Sequence, residues 1–217
     1  MLVVKALAPG NLRVIATCIE PGYEHLTDDI TISVHERFDL QPGPIIRMAP
    51  ESSLQLRLVR PNQEEIRVPQ SHYQIISCTG FNVNSSLFMT VPAFSSRCTL
   101  KVQDTRTKPP YESSVDIIVD HPDDLRIITS PLIVVGREFP FEIQLLKDKQ
   151  LLLGYNKNVV VSSEFIVDSE RRSITAEKKM TGSMTARLGS LKKDITISAY
   201  LPVAAILPDN YLHLPVG

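Results

Sequence analysis

Ile30-Thr-Ile-Ser-Val34, Val115-Asp-Ile-Ile-Val119 and Ile195-Thr-Ile-Ser-Ala199 are one five-residue pattern written three times. Apolar residues fall on alternate positions in each, the period of a strand with one face turned inward. The copies start at 30, 115 and 195, so successive starts lie 85 and 80 residues apart. Each copy is followed by the same grammar. Six residues beyond its last position stands Leu40, Leu125 or Ala205, then a bend containing proline, then a second short apolar strand. Met48-Ala-Pro-Glu-Ser-Ser-Leu54 has its counterpart in Val135-Gly-Arg-Glu-Phe-Pro-Phe141, and both lead into alternating stretches that end at Leu58 and Leu145. A repeat of this length, made of short strands with proline-rich seams, predicts a string of small β-sandwiches.

The rest of the chain reads the same way. Alternation recurs in Val14-Ala16-Cys18, Leu54-Leu56-Leu58, Leu100-Val102 and Phe139-Phe141-Ile143-Leu145, each expected to be a half-buried strand. Sixteen prolines against nine glycines, with no tryptophan, fit strands cut by turns, and helix signals are nearly absent. Glu142 to Leu153 has a helix-like length, yet Pro140 precedes it, Gly154 follows it and its first half alternates strictly. It is expected to be strand, polar turn at Lys147-Asp-Lys149, then strand. Seams near Arg37, His121 and Leu201, without Gly/Ser linkers, divide the chain into four parts. Residues 1–36 are expected to be the last strands of a partial domain, 37–120 and 121–200 two complete domains, and 201–217 the first strands of another. On this phase the chain is a piece cut from a longer array.

Composition narrows the function. Of 217 residues, 43% are hydrophobic and 22% charged, which places the chain among folded globular proteins. Lys and Arg number 23 against 24 Asp and Glu, leaving no basic surplus to neutralise a run of phosphates, so nucleic acid is not an expected partner. No stretch approaches the ~20 apolar residues that cross a bilayer as a helix. The apolar run Leu132 to Val135 is broken by Gly136, Arg137 and Glu138, and the N-terminal Met1 to Ala8 lacks a basic lead and reads as a strand.

Ser96-Arg-Cys-Thr-Leu-Lys-Val-Gln-Asp104, Val115 to Val119, Asp124-Leu-Arg-Ile-Ile128, Val134-Val-Gly136 and Phe141-Glu-Ile-Gln-Leu-Leu-Lys-Asp148 resemble, in order and spacing, the lumenal repeats of the nuclear pore membrane glycoprotein 210 family. Ile195-Thr-Ile-Ser-Ala-Tyr-Leu-Pro202 and Val216-Gly217 extend the resemblance over most of the chain. The same packing and turn residues occur in bacterial immunoglobulin-like domains of adhesins. The resemblance implies tandem immunoglobulin-like sandwiches of the bacterial Ig-like type. It also implies a structural role in a ring supporting the pore membrane from the perinuclear lumen, in a membrane-anchored parent that associates with its own copies and neighbouring repeats. It carries over no catalytic residue. The alternative is a segment of an extracellular adhesin or receptor.

The chemistry-bearing residues fit no constellation for catalysis, a cofactor or a metal. No G-x-S-x-G occurs, and His25, His35, His72, His121 and His213 are expected to be solvated residues at strand ends. Asp28-Asp29 and Asp123-Asp124 offer paired carboxylates to Ca2+, but without the dense oxygen-ligand pattern of a calcium loop they read as solvated acids, Arg126 being at hand for Asp124. Lys178-Lys179 and Lys192-Lys193 read as charges that discourage edge pairing. Asn84-Ser85-Ser86 is the one N-x-S/T sequence, a glycosylation candidate if the chain meets a secretory lumen, as the resemblance implies, and a chance match otherwise. Cys78 and Cys98, 20 residues apart within one expected sandwich, are either a disulfide or two buried thiols, while Cys18 stands alone. Leu151-Leu-Leu153, Val159-Val-Val161 and Leu201 to Ile206 are more apolar than a free surface usually is, and any that point outward become contacts between copies.

Overall fold

The computed structural model describes residues 6–68 and 70–202. They hold 22 strands and no helix, in successive immunoglobulin-like β-sandwiches. Two compact units divide the chain. The first comprises the described chain through His121 together with Leu152–Lys157, and the second comprises Pro122–Leu151 and the described chain from Asn158.

The first unit opens with β1 (Gly10–Thr17) and β2 (Thr27–Val34), an antiparallel hairpin. There follow β3 (Asp39–Gln41), β4 (Ile45–Met48), β5 (Ser52–Gln55), β6 (Arg57–Val59), β7 (Glu65–Ile66) and β8 (Tyr73–Ile76). After them come β9 (Asn82–Val83), β10 (Phe88–Thr90), β11 (Ser96–Asp104) and β12 (Tyr111–Val119). One sheet runs in the order β4-β12-β11-β8, with β4 parallel to β12. A second carries β5, β10 and β9, and a third β3, β6 and β7. In β11 and β12 the alternation does what it predicts. Cys98, Leu100 and Val102 point inward beside Val115, Ile117 and Val119, all buried, while Thr99, Lys101 and Asp116 face water. Phe38 seals one end of this core, lying edge-on between Tyr73 and Tyr111 at ring separations of 5.3 and 5.2 Å.

The stretch Leu54 to Leu58 is not one strand. It breaks at Leu56, and β5 and β6 on either side belong to different sheets. Leu56 donates its N–H to Leu87 O and buries its side chain, so the alternation survives while the hydrogen-bond partners change.

The second unit holds β13 (Asp124–Thr129), β14 (Leu132–Val134) and β15 (Glu138–Lys147), against which β16 (Gln150–Leu152) folds back. The expected turn at Lys147-Asp-Lys149 is present, with Asp148 and Lys149 both at positive φ. After β17 (Tyr155–Asn156) come β18 (Val160–Ser163), β19 (Ile166–Asp168), β20 (Ser173–Thr175), β21 (Met180–Leu188) and β22 (Leu191–Tyr200). The order β14-β22-β21-β18 repeats β4-β12-β11-β8, down to the parallel first strand. The opposing sheet runs β13-β15-β20-β19. Leu125, Phe141, Leu145, Phe165, Ile174 and Ile197 fill the core of this unit. Each copy of the five-residue pattern thus ends the second strand of a long hairpin, β1–β2, β11–β12 or β21–β22.

One expected range needs correction. Residues 121–200 are not one continuous domain, because Leu152–Lys157 belongs to the first unit. There β17 pairs antiparallel with β5, Leu153 N–H donates to Arg47 O at 2.7 Å, and Asn156 Nδ2 donates to Pro50 O at 2.8 Å and Ser52 Oγ at 3.2 Å. Gly154 permits the approach. Its φ is +95°, and a Cβ there would stand 2.7 Å from Ser53 O. Leu152 is buried and Leu153 packs on the first core, so of the apolar run only Leu151 is exposed. The β1–β2 hairpin, expected as the last strands of a partial domain, is a two-stranded sheet of its own and groups with the first unit. Of 201–217, Leu201 and Pro202 are described, both exposed, and the remainder lies outside the described residues.

Candidate functional site

Side-chain chemistry in the first unit concentrates at three places: the uncovered hairpin, the ion cluster at its foot, and the disulfide with the loop beyond it.

Residues opposite one another in an antiparallel pair share a face. In the β1–β2 hairpin the pairs Leu12–Ile32 and Val14–Ile30 put four branched apolar side chains on one face, with Val34 at its end opposite Gly10. The corresponding face of β11–β12 is the buried core of the sandwich. Here Leu12 is 45% exposed and Ile30 61%, and no residue of the face is fully buried. The other face carries Asn11, Ser33 and Thr31, with Arg13 paired to Asp29 and Ile15 exposed opposite it. The expected strands therefore form with the right period; Val14, Ile32 and Val34 are half-buried, Leu12 and Ile30 stay exposed, and among the described residues no second sheet closes over the face.

The foot of the hairpin is fixed by charge. Glu36 Oε1 accepts from Arg60 Nε and Nη2, both at 2.8 Å, and its Oε2 accepts from Arg106 Nη2 at 2.6 Å. Arg106 also holds Asp104 through Nε at 2.9 and 3.0 Å and Nη2 at 2.6 Å, and Asp104 is 1% exposed. Arg60 reaches Glu64 at 3.1 Å. The Arg106 guanidinium, with Arg60 beside it, holds the Glu36 carboxyl below its ordinary value against the opposing push of burial. Burial pushes Asp104 up, but the Arg106 side chain and backbone N–H outweigh it and leave Asp104 lowered. Burial, with Glu36 nearby, raises the Tyr73 phenol.

One histidine, His72, departs from the solvated role expected of it, while His35 keeps that role, exposed just beyond the end of β2. His35 Nδ1 lies 2.8 Å from the hydroxyl of buried Thr107, and the His72 ring packs on Tyr73 at 4.3 Å with a buried Nε2. The carboxylate pairs are engaged locally. Asp28 accepts from the Asp29 N–H, Asp124 stands 3.6 Å from Arg126, and Asp123 accepts from Asp148 N–H at 3.0 Å and Lys147 at 3.3 Å. Among the described residues no group of His, Cys, Asp and Glu has metal-site geometry. Lys192 pairs with Asp194 at 2.7 Å, while Lys178 and Lys179 are exposed.

Cys78 and Cys98 are joined as a disulfide, their Cα atoms 5.7 Å apart, and Cys18 is free. The bond ties the segment after β8 to buried β11. Beyond it, Asn84 sits exposed in the loop between β9 and β10. Sequence reading misses the ion cluster, because its partners lie up to 70 residues apart and no local pattern marks them.

No family model matches the chain, and no curated protein matches it. Solved structures do, at low likeness. Domains 5–6 of the S-layer protein SbsC align over 78% of this chain and 99% of theirs, with 10% identity and a TM-score of 0.36. The adhesin InvE of Yersinia pseudotuberculosis aligns over 75% of this chain and 58% of its own, with 11% identity and a TM-score of 0.32. The extracellular domain of Protocadherin GammaB4 aligns over 89% and 37%, with 14% identity and a TM-score of 0.26. This chain is similar to these β-domain proteins in fold, and nothing about binding passes from them to it.

Proposed function

We propose that the chain is a non-enzymatic structural repeat segment of a protein that works outside the cytosol, and that it associates with further copies of itself or neighbouring repeats. The observation that carries this reading is the thrice-repeated hairpin. Two copies are closed into sandwiches, and the third, β1–β2, presents the same apolar face to solvent. An equivalent sheet from another copy is the occupant that fits, because that face packs under such a sheet in the other two copies. The Cys78–Cys98 disulfide supports an oxidising compartment.

Two settings share this description. An Ig-like segment of a cell-surface adhesin or receptor agrees with the disulfide and needs no further partner chemistry. A scaffold in the perinuclear lumen, which is continuous with the same oxidising space, is supported by the resemblance of the 96–153 stretch to pore membrane glycoprotein 210 repeats. Locating the tagged protein in its own cells separates them. Labelling of intact cells by an impermeant reagent supports the surface setting. A nuclear-rim signal that resists the reagent supports the lumenal one, and a cytosolic pool with reduced Cys78 and Cys98 contradicts both.

A further inference from the structure

Asn84-Ser85-Ser86 sits in a loop whose geometry goes beyond a string match. Asn84 N–H donates to Phe88 O at 3.1 Å and Leu87 N–H donates to Asn84 O at 2.9 Å, which closes the loop between β9 and β10. The side-chain oxygen Oδ1 accepts from the N–H groups of Ser86 and Phe88, both at 2.9 Å. This is an Asx-type turn, and it fixes the carboxamide by its oxygen. The nitrogen Nδ2, on an exposed side chain, donates to no partner among the described residues. Gln55 Nε2 donates to Ser86 O at 2.7 Å and steadies the far side of the loop.

Beside Asn84 lies an open concavity of about 390 Å3 lined by Phe88, Phe81, Val83 and Thr90. Phe88 is 43% exposed, although its neighbours Leu87 and Met89 are fully buried. Asn84 and Phe88 are hydrogen-bonded across the loop mouth through the Phe88 backbone, and both residues line this one hollow. A partly exposed ring in a shallow hollow gains by burial under a group with an apolar face and a polar rim. A pyranose has that shape.

We propose that Asn84 is an N-glycosylation site and that the first N-acetylhexosamine of the glycan packs on Phe88. In the transfer, Nδ2 bonds to C1 of an oligosaccharide carried on a lipid diphosphate. The C1–O bond to the diphosphate breaks, the lipid diphosphate leaves, and one Nδ2 proton passes to the transferase base. The inference rests on the extracytosolic setting proposed above, so the test supplies that compartment and reads entry to it separately.

The full chain is secreted behind a cleavable signal peptide, and formation of the Cys78–Cys98 bond reports arrival in the lumen. The expected result is one glycan, removable by peptide N-glycosidase, absent from Asn84→Gln and from Ser86→Ala and retained in Phe88→Ala. Enzymatic removal of the sugar, which converts the asparagine to aspartate in both proteins, lowers the unfolding midpoint of the wild type more than that of Phe88→Ala. Disulfide-bonded chain without glycan overturns the site. An equal drop in midpoint for wild type and Phe88→Ala overturns the packing.

Discussion

Replacing Arg106 by Met removes the centre of the charge cluster while keeping most of its hydrophobic volume. The guanidinium supplies short hydrogen bonds to Glu36 and Asp104, and hydrogen bonds to charged groups are worth about 1.5–3 kcal/mol each. Asp104, 1% exposed, is left without its counter-ion. Removing one partner of a fully buried pair costs roughly 3–5 kcal/mol. Two features discount that figure: the Arg106 side chain is 28% exposed, and Glu36 keeps Arg60. The expected loss is about 3 kcal/mol in the first unit. Hydrogen exchange of β11 and β12 peptides, read by mass spectrometry, reports that unit without assuming that both units unfold together. Arg106→Met with Asp104→Asn should recover part of the loss, since no buried charge is then stranded. A single variant within about 0.5 kcal/mol of wild type, the scatter of ordinary surface changes, would refute the reasoning. So would a double variant no better than the single.

Acid should reveal the same cluster. Glu36 and Asp104 have folded values held below their ordinary 4.5 and 3.8, so their contribution is present above those values and lost as pH falls through the lowered folded ones. Urea midpoints of the first unit should fall as the pH drops below these ordinary values, and a flat profile contradicts this. Gly154→Ala should cost the first unit roughly 2 kcal/mol through backbone strain and the clash with Ser53, read as faster exchange in β5. Replacing Cys78 and Cys98 by Ala should lower stability by about 3 kcal/mol, as the release of a loop of this length predicts, measured by urea unfolding with Cys18 unaltered.

The hairpins and the sandwich repeat are legible in the sequence because a buried face imposes a period of two wherever it occurs, as in Leu100-Val102 and Val115-Ile117-Val119. The turn at Asp148-Lys149 is legible because charged residues interrupt that period. What alternation does not encode is the partner. Leu54-Leu56-Leu58 alternates without a break while the strand changes sheets at Leu56, and Leu152–Lys157 carries no local sign that it pairs with β5. Hydrogen bonds to a distant strand use the backbone, which every residue shares. Glu36, Arg60 and Arg106 look like surface charges one at a time and become a site only when three segments meet. His72 is likewise read as solvated until Tyr73 is seen beside it.

Association through the uncovered face of β1–β2 is the claim on which the functional reading stands. Sedimentation equilibrium of the intact chain over a wide concentration range, beside the pair Leu12→Lys and Ile30→Lys, tests it most directly. Both side chains are exposed, so the variants should fold as wild type does, with unchanged exchange in β11 and β12. Concentration-dependent association of the wild type, lost in the double variant, is the predicted result. A wild type that stays monomeric throughout, or a double variant that associates equally well, would contradict it.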